Sequence, residues 1–134
     1  MSVVNTLLKL DSGKLDLPTK QVEIKRLSEA AGEPVVFTLK GISASKIDEI
    51  RDMATRINGD KIDVDRQEMR MGTVVAGTID PDFRDKQLMD HFGVKTPYDL
   101  VKKMLTAGEI DTLYEKISEL TGYNEDAVEE VKKP

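Results

Sequence analysis

The chain has 134 residues, a formal net charge of -5, 39% apolar and 34% charged residues, and no cysteine. That length suits one compact domain with a modest core, and the missing cysteine excludes disulfides, thiolate chemistry and cysteine-based zinc sites. The acidic balance disfavours a sequence-independent nucleic-acid binder, which needs a basic face, and no apolar run approaches the roughly 20 residues of a membrane span.

Met1 to Leu10 carries a lone Lys9 and no signal-peptide pattern. Residues 1–19 read as an irregular N-terminal arm, with Leu7, Leu8, Leu10, Leu15 and Leu17 interrupted by Asp11, Ser12 and Gly13 and closed by Pro18. Two readings stay open: a strap packed across the domain, or an arm that orders when a partner binds. Residues 20–134 read as a single globular domain. Within it, residues 20–40 form a β-hairpin, because Val22 and Ile24 alternate with polar neighbours, as do Phe37 and Leu39 with Thr38 and Lys40. Ser28 to Pro34 is expected to be the connecting loop. Two strands alone are marginal, so the hairpin must pack on something.

Helices are predicted over the remainder, residues 43–133. Ser45 with Asp48 resembles a capping box, followed by Ile47, Ile50, Ala54 and Ile57 at helical spacing, with Asn58-Gly59 as the stop. Gln67 to Ile79 is predicted to be a buried helix. Gly72 and Gly77 weaken it by about 1 kcal/mol each relative to alanine, and close approach of a neighbouring element explains both. Asp80-Pro81-Asp82 reads as a turn and a fresh helix start. A short helix over Asp85 to Phe92 should end at Gly93. Thr96-Pro97-Tyr98-Asp99 is a strong helix start, since the threonine caps, proline suits the first turn and the acid faces the dipole. Thr106 with Glu109 forms another capping box, Gly122 ends that helix, and Asn124 opens a last one with Ala127, Val128 and Val131 apolar. The sum is α+β: a mainly α-helical single domain with an N-terminal β-hairpin.

Charge is unevenly spread. Glu109 to Glu130 holds eight acids against one base, Lys116, whereas the first 26 residues hold five bases and three acids. A solvated helical face or a docking surface for a basic partner both fit.

No catalytic constellation is legible. His91, the single histidine, has no evident nucleophile or acid partner. Asp60, Asp63 and Asp65 fail the calcium-loop spacing, since position six from Asp60 is Asp65 and position twelve is Met71. They read as an acidic turn, with a metal-assisted hydrolase as the competing idea. The glycines are too scattered to cradle phosphate, and the six aromatic side chains too dispersed to stack bases. The expectation is therefore no enzyme, no cofactor, no metal, and a protein that works by binding.

Several segments, in order, resemble the XkdN-like family of phage tail assembly chaperones. They are Val22-Glu23-Ile24-Lys25-Arg26 with Pro34 to Lys40, then Val75 to Asp85, which holds a small apolar stretch ending in a Pro-Asp turn. Gln87 to Val94 follows, then Leu100 to Glu109 leading through Leu120-Thr121-Gly122-Tyr123 to an acidic tail. The resemblance implies a non-enzymatic helper in the host bacterial cytoplasm. It would bind the tail tape measure protein, keep it soluble while tail tube protein polymerises around it, and be absent from the virion. The alternative is a structural tail-completion or connector protein retained in the virion. A homo-oligomer fits the first role; nucleic acid and membrane do not. A tape measure is a long helical chain whose apolar stripes self-associate, and an apolar groove in a helical domain could cover them, with many copies adding avidity. The candidate partner-binding residues are Leu7, Leu8, Leu10, Tyr98, Tyr114 and Tyr123, whose competing role is core packing. Such families often produce a second length by ribosomal frameshifting, for which Val131-Lys132-Lys133-Pro134 is a candidate stretch.

Overall fold

A computed structural model describes residues 2–124 and 126–131. Of the frameshift candidate Val131-Lys132-Lys133-Pro134, the last three residues lie outside them. The arm is not wholly irregular: Val3–Leu7 form a short helix (α1) capped by Ser2, and Ser12–Leu15 form a 3-10 turn. Neither buries a residue.

Strand β1 (Thr19–Glu23) pairs antiparallel with β2 (Val36–Lys40), with Val22 opposite Phe37. The alternation works as anticipated: Ile24, Phe37 and Leu39 are buried. The connection, however, is not a loop. Lys25–Ala31 form a helix (α2) that ends at Gly32 in the left-handed conformation, φ 75°. The segment Lys25-Arg26-Leu27-Ser28-Glu29-Ala30-Ala31 is rich in good helix formers, but at seven residues it is too short to display a period. Ser28 then accepts a hydrogen bond from Val35 N–H at 2.8 Å, which returns the chain to the sheet.

Helix α3 (Ala44–Ala54) starts earlier than the Ser45–Asp48 pattern suggests. Ser43 is the cap and accepts from Lys46 N–H. It also ends earlier. Thr55–Asn58 (β3) and Lys61–Val64 (β4) form a second hairpin with Ile57 opposite Ile62. Asn58-Gly59 is therefore a hairpin turn rather than a helix stop. Gly59, at φ 63°, takes the first of the two turn positions, where positive φ matches the twist of the flanking strands.

Helix α4 (Arg66–Gly77) is capped by Asp65, whose carboxylate accepts from Gln67 and Glu68 N–H. As expected it is buried, with Met71, Gly72, Thr73, Val74, Val75 and Gly77 all inaccessible. Its glycines admit neighbours. A Cβ at Gly72 would stand 2.8 Å from both Ile50 Cγ2 and the Tyr98 hydroxyl, and one at Gly77 would stand 2.8 Å from Ile117 Cδ1. The helix stops two residues short of Ile79. Thr78–Asp80 become a third strand (β5), pairing antiparallel with the open edge of β2 and giving the order β1-β2-β5. Ile79 is half-exposed there instead of lining a helix.

Pro81 does not start a helix. A turn follows in which Asp82 accepts from Arg84 N–H, and Phe83 is fully buried against Phe37, their rings meeting edge to face at 5.9 Å. Helix α5 (Lys86–His91) begins after its cap Asp85 and is followed by Gly93 at φ 70°. Helix α6 (Pro97–Met104) is capped by Thr96 with Pro97 in its first turn. Helix α7 (Ala107–Thr121) opens with the complete Thr106–Glu109 capping box and closes at Gly122, φ 104°. The starts of α6 and α7 and the glycines after α5 and α7 follow the reasons their sequences suggest. The further helix expected from Asn124 is not found among the described residues: residues 126–131 are turn, bend and irregular chain, with Val128 and Val131 almost fully exposed. A stretch of acids with few apolar positions gives a helix there nothing to bury.

The architecture is thus α+β and mainly helical. Helix α4 is the axis, touching α3, α6 and α7, while α7 also packs on β2. Phe37, Leu39, Val74, Phe83, Leu100, Val101, Leu113 and Ile117 are the largely inaccessible centre.

Candidate partner-binding groove

Helices α3 and α7 both pack on α4, and residues of all three line an open groove of about 550 Å³. Met69 and Thr73 of α4 contribute its floor; Ile47 and Arg51 line the α3 side, and Tyr114, Glu115, Ser118 and Glu119 the α7 side. At one end the groove runs on, through Ile47, Arg51, Thr121 and Tyr123, into a hollow of about 300 Å³ bounded by Ile42, Ala44 and Gly122.

Two local devices hold the tyrosines. Tyr114 lies beneath the Arg70 guanidinium, 5.8 Å from ring centroid to carbon, and Arg70 is itself tied to Asp111 at 3.2 Å. Tyr123 is placed by the end of α7. Gly122 N–H donates to Glu119 O at 3.0 Å and Tyr123 N–H to Ser118 O at 3.1 Å, the paired bonds of a Schellman motif. The left-handed glycine turns the chain so that Tyr123 lines the groove while remaining 62% exposed. Arg51 pairs with Asp48 at 3.5 Å, whereas Glu115 and Glu119 join no ion pair among the described residues. The groove is therefore apolar below and acidic along its α7 rim.

Of the residues singled out in sequence, the structure brings Tyr114 and Tyr123 together. Tyr98 is elsewhere, half-buried with its hydroxyl against Gly72, and desolvation followed by the nearby Glu68 charge pushes that hydroxyl above its ordinary pKa. Leu7, Leu8 and Leu10 are 56%, 77% and 44% exposed on the arm and do not line the groove. Ile47, Met69 and Glu119 were not among the candidate binding residues, because their shared placement depends on how α3, α4 and α7 pack.

A second apolar surface also went unnoticed. On the β3–β4 hairpin, Ile57 and Ile62 face each other at 74% and 71% exposure, with Val64 and Met53 also exposed. The Asn-Gly pair between alternating residues was the available signal. Asp60 and Asp63 stand on this hairpin and Asp65 caps α4. Among the described residues no three His, Cys, Asp or Glu side chains gather as a metal site. His91 is exposed and meets the Phe92 ring edge to face at 4.8 Å.

On the other side, Arg26 of α2 grips the start of α7. Its guanidinium donates to Glu109 Oε1 at 2.8 Å and Oε2 at 3.1 Å, and to Met104 O at 2.6 Å. The Arg26 hydrogen bond, with help from Thr106, holds the Glu109 carboxyl below its ordinary 4.5. A depressed carboxylate contributes stability above its unfolded pKa and loses it as pH falls through the folded value. Glu109→Gln is accordingly expected to flatten the fall of the urea midpoint between neutral pH and the region below 4.5. An unchanged acid limb would show that the latch carries no pH-linked stability.

The molecule is a hairpin-bearing helical domain with an open groove and, among the described residues, no gathered metal-ligand cluster. Comparison with known proteins makes this specific: residues 4–133 match the phage XkdN-like tail assembly chaperone family, and the chain belongs to that family. It is 31% identical over 108 residues to the phage-like element PBSX protein XkdN of Bacillus subtilis (strain 168), covering 76% of this chain and 73% of that one. It is 27% identical over 119 residues to YqbN of the same strain, covering 82% and 80%. The crystal structure of the protein YqbN superposes with a TM-score of 0.62 at 25% identity, covering 81% of this chain and 89% of that one. The membership places the chain among assembly chaperones rather than enzymes. No helix among the described residues is long and apolar enough to cross a membrane.

Proposed function

We propose that this chaperone binds the tail tape measure protein of its phage through the α3–α7 groove. The bound tape measure stays soluble in the host bacterial cytoplasm until tail tube protein polymerises around it, and the chaperone is not retained in the virion. The observation that supports the reading is the groove itself, an open trough with Ile47, Met69, Tyr114 and Tyr123 in its lining, on a chain of the tail-chaperone family. Helix-in-groove recognition uses anchors at three- and four-residue spacing, and a tape measure offers such stripes repeatedly, so several weak contacts along one chain give avidity. The division into an arm of residues 1–19 and a body of residues 20–134 belongs to this reading.

The test is co-expression with the tape measure protein, scored by pull-down and by the soluble fraction. Wild-type chain is expected to co-purify and to raise tape-measure solubility, while mass spectrometry of purified particles finds no chaperone. Tyr123→Asp leaves the fold intact, since the side chain is exposed. It is expected to weaken capture of a single tape-measure segment by about 2 kcal/mol, roughly thirty-fold in Kd, the scale of an aromatic hot spot. Undiminished capture by Tyr123→Asp would move the site off this groove. Chaperone found in the particle would favour a structural tail component instead.

A further inference from the structure

We propose that the outer edge of strand β1 is a docking site for an extended acidic segment of a partner protein, which adds to the sheet as a fourth strand. The order β1-β2-β5 leaves β1 with a neighbour on one side only. Ile24 N–H donates to Val35 O at 3.0 Å and Gly41 N–H to Pro18 O at 3.1 Å. In this antiparallel register the residues that bond β2 are therefore Pro18, Lys20, Val22 and Ile24. The N–H and C=O groups of Thr19, Gln21 and Glu23 point the other way, and all three residues are exposed. An open edge of this kind is a template for strand addition.

A hollow beneath that edge gives an added strand something to bury. It measures about 480 Å³ and lies between β1 and α7, with Val22, Ile24 and Leu113 in its apolar lining. Every second side chain of a fourth strand would face it, and one apolar side chain beside Val22 would occupy it. Charge defines the flanking positions. Strand and hollow together carry the cations Lys20, Lys25, Arg26 and Lys116 against Glu23 and Glu109. Arg26 and Glu109 neutralise each other, whereas Lys20, Lys25 and Lys116 join no ion pair among the described residues. Helix α7 runs from Arg26 back toward Gly41, so Lys116 stands toward the Lys20 end of β1, and Lys25 follows its other end. The fitting segment therefore carries one apolar residue with an acid two positions to either side, and uncharged residues at the alternate positions, on the face of Glu23. This site is separate from the groove, because α7 presents Tyr114 and Ser118 to the groove and Thr112 and Lys116 to the hollow.

The experiment uses the full-length chain and a synthetic peptide, acetyl-Thr-Glu-Thr-Val-Thr-Glu-Thr-amide, read by NMR titration and amide hydrogen exchange. With peptide at about ten times Kd, the amides of Thr19, Gln21 and Glu23 are expected to exchange about ten-fold more slowly. Gln21→Pro removes an outward donor and leaves the bonds to β2, a place where an edge strand tolerates proline; it is expected to abolish that protection. Lys20→Glu/Lys25→Glu, at exposed positions, keeps the fold and is expected to weaken binding about ten-fold, the scale of two exposed ion pairs. A peptide with lysines in place of its glutamates should restore binding to that variant. Tyr123→Asp should bind the peptide as wild type does, so failure of the groove reading leaves this inference standing. Peptide that leaves the three amides unprotected would overturn the proposal, and so would protection that persists in Gln21→Pro. Loss of binding in Tyr123→Asp would place the peptide in the groove instead. Protection that grows with chain concentration alone would give the edge to a second copy and equally overturn the assignment.

Discussion

Replacing Phe83 by alanine is expected to lower the free energy of unfolding by about 3–5 kcal/mol, the range for a fully buried phenylalanine. The residue lies in the turn between β5 and α5, where no ladder or helical hydrogen bond holds it, and it is inaccessible. Its ring meets Phe37 edge to face at 5.9 Å and an interplanar angle of 72°. The truncation removes ring burial, breaks an aromatic pair worth about 0.5–1.5 kcal/mol beyond its area, and leaves a cavity beneath the sheet. Phe37 lies on β2, whose strand neighbours limit how far the site can collapse. A domain of this size has only about 5–15 kcal/mol in total, so the variant should show a much lower urea midpoint with the slope little changed. Phe92→Ala, at a half-buried position, is the control and should cost clearly less. Equal losses at the two sites would mean that Phe83 is not the pin of this turn.

Gly41→Ala is the second large effect expected. A Cβ there would overlap the Leu120 carbonyl oxygen and come within 3.0 Å of Leu17 Cβ. The obstacle is backbone, so no side-chain rotation relieves it, and either β2 or the last turn of α7 must move. Overpacking of this kind costs about 1–3 kcal/mol, and the backbone clash puts this case at the upper end. The position also lies where the arm is rooted, where β2 meets α7 and where the groove ends. Ile42 N–H donates to Thr121 Oγ1 at 3.0 Å one residue on, so a shift at Gly41 strains that bond too. The expected result is a lower melting temperature with weakened tape-measure capture. Gly108→Ala is the control, because a Cβ there meets nothing within 4 Å and alanine is the better helix former. It should be neutral or slightly stabilising.

Local signals alone determined a good deal of this protein. The caps at Thr96 and Thr106, the stops at Gly93 and Gly122, the alternation through Phe37 and Leu39 and the buried character of α4 all rest on interactions within a few residues. Their side-chain chemistry is legible in order along the chain. The family resemblance drew on the same ordered segments, and so did the absence of cysteine and of any recognisable catalytic spacing. Where competing local patterns were short, the reading failed. The Lys25–Ala31 helix has too few turns to show a period, Ile57 continued a helical spacing that Asn58-Gly59 in fact converts into a hairpin, and Ile79 ended a helix pattern although the open edge of β2 recruits Thr78–Asp80. What only the tertiary structure decided is the groove. Tyr114 and Tyr123 line one groove with Ile47 and Met69 because α3 and α7 both pack on α4, while Tyr98 is turned toward Gly72 instead. Helix crossing depends on which small residues let backbones approach, and that is a property of pairs of distant segments, whereas capping, turning and alternation belong to neighbours in the chain.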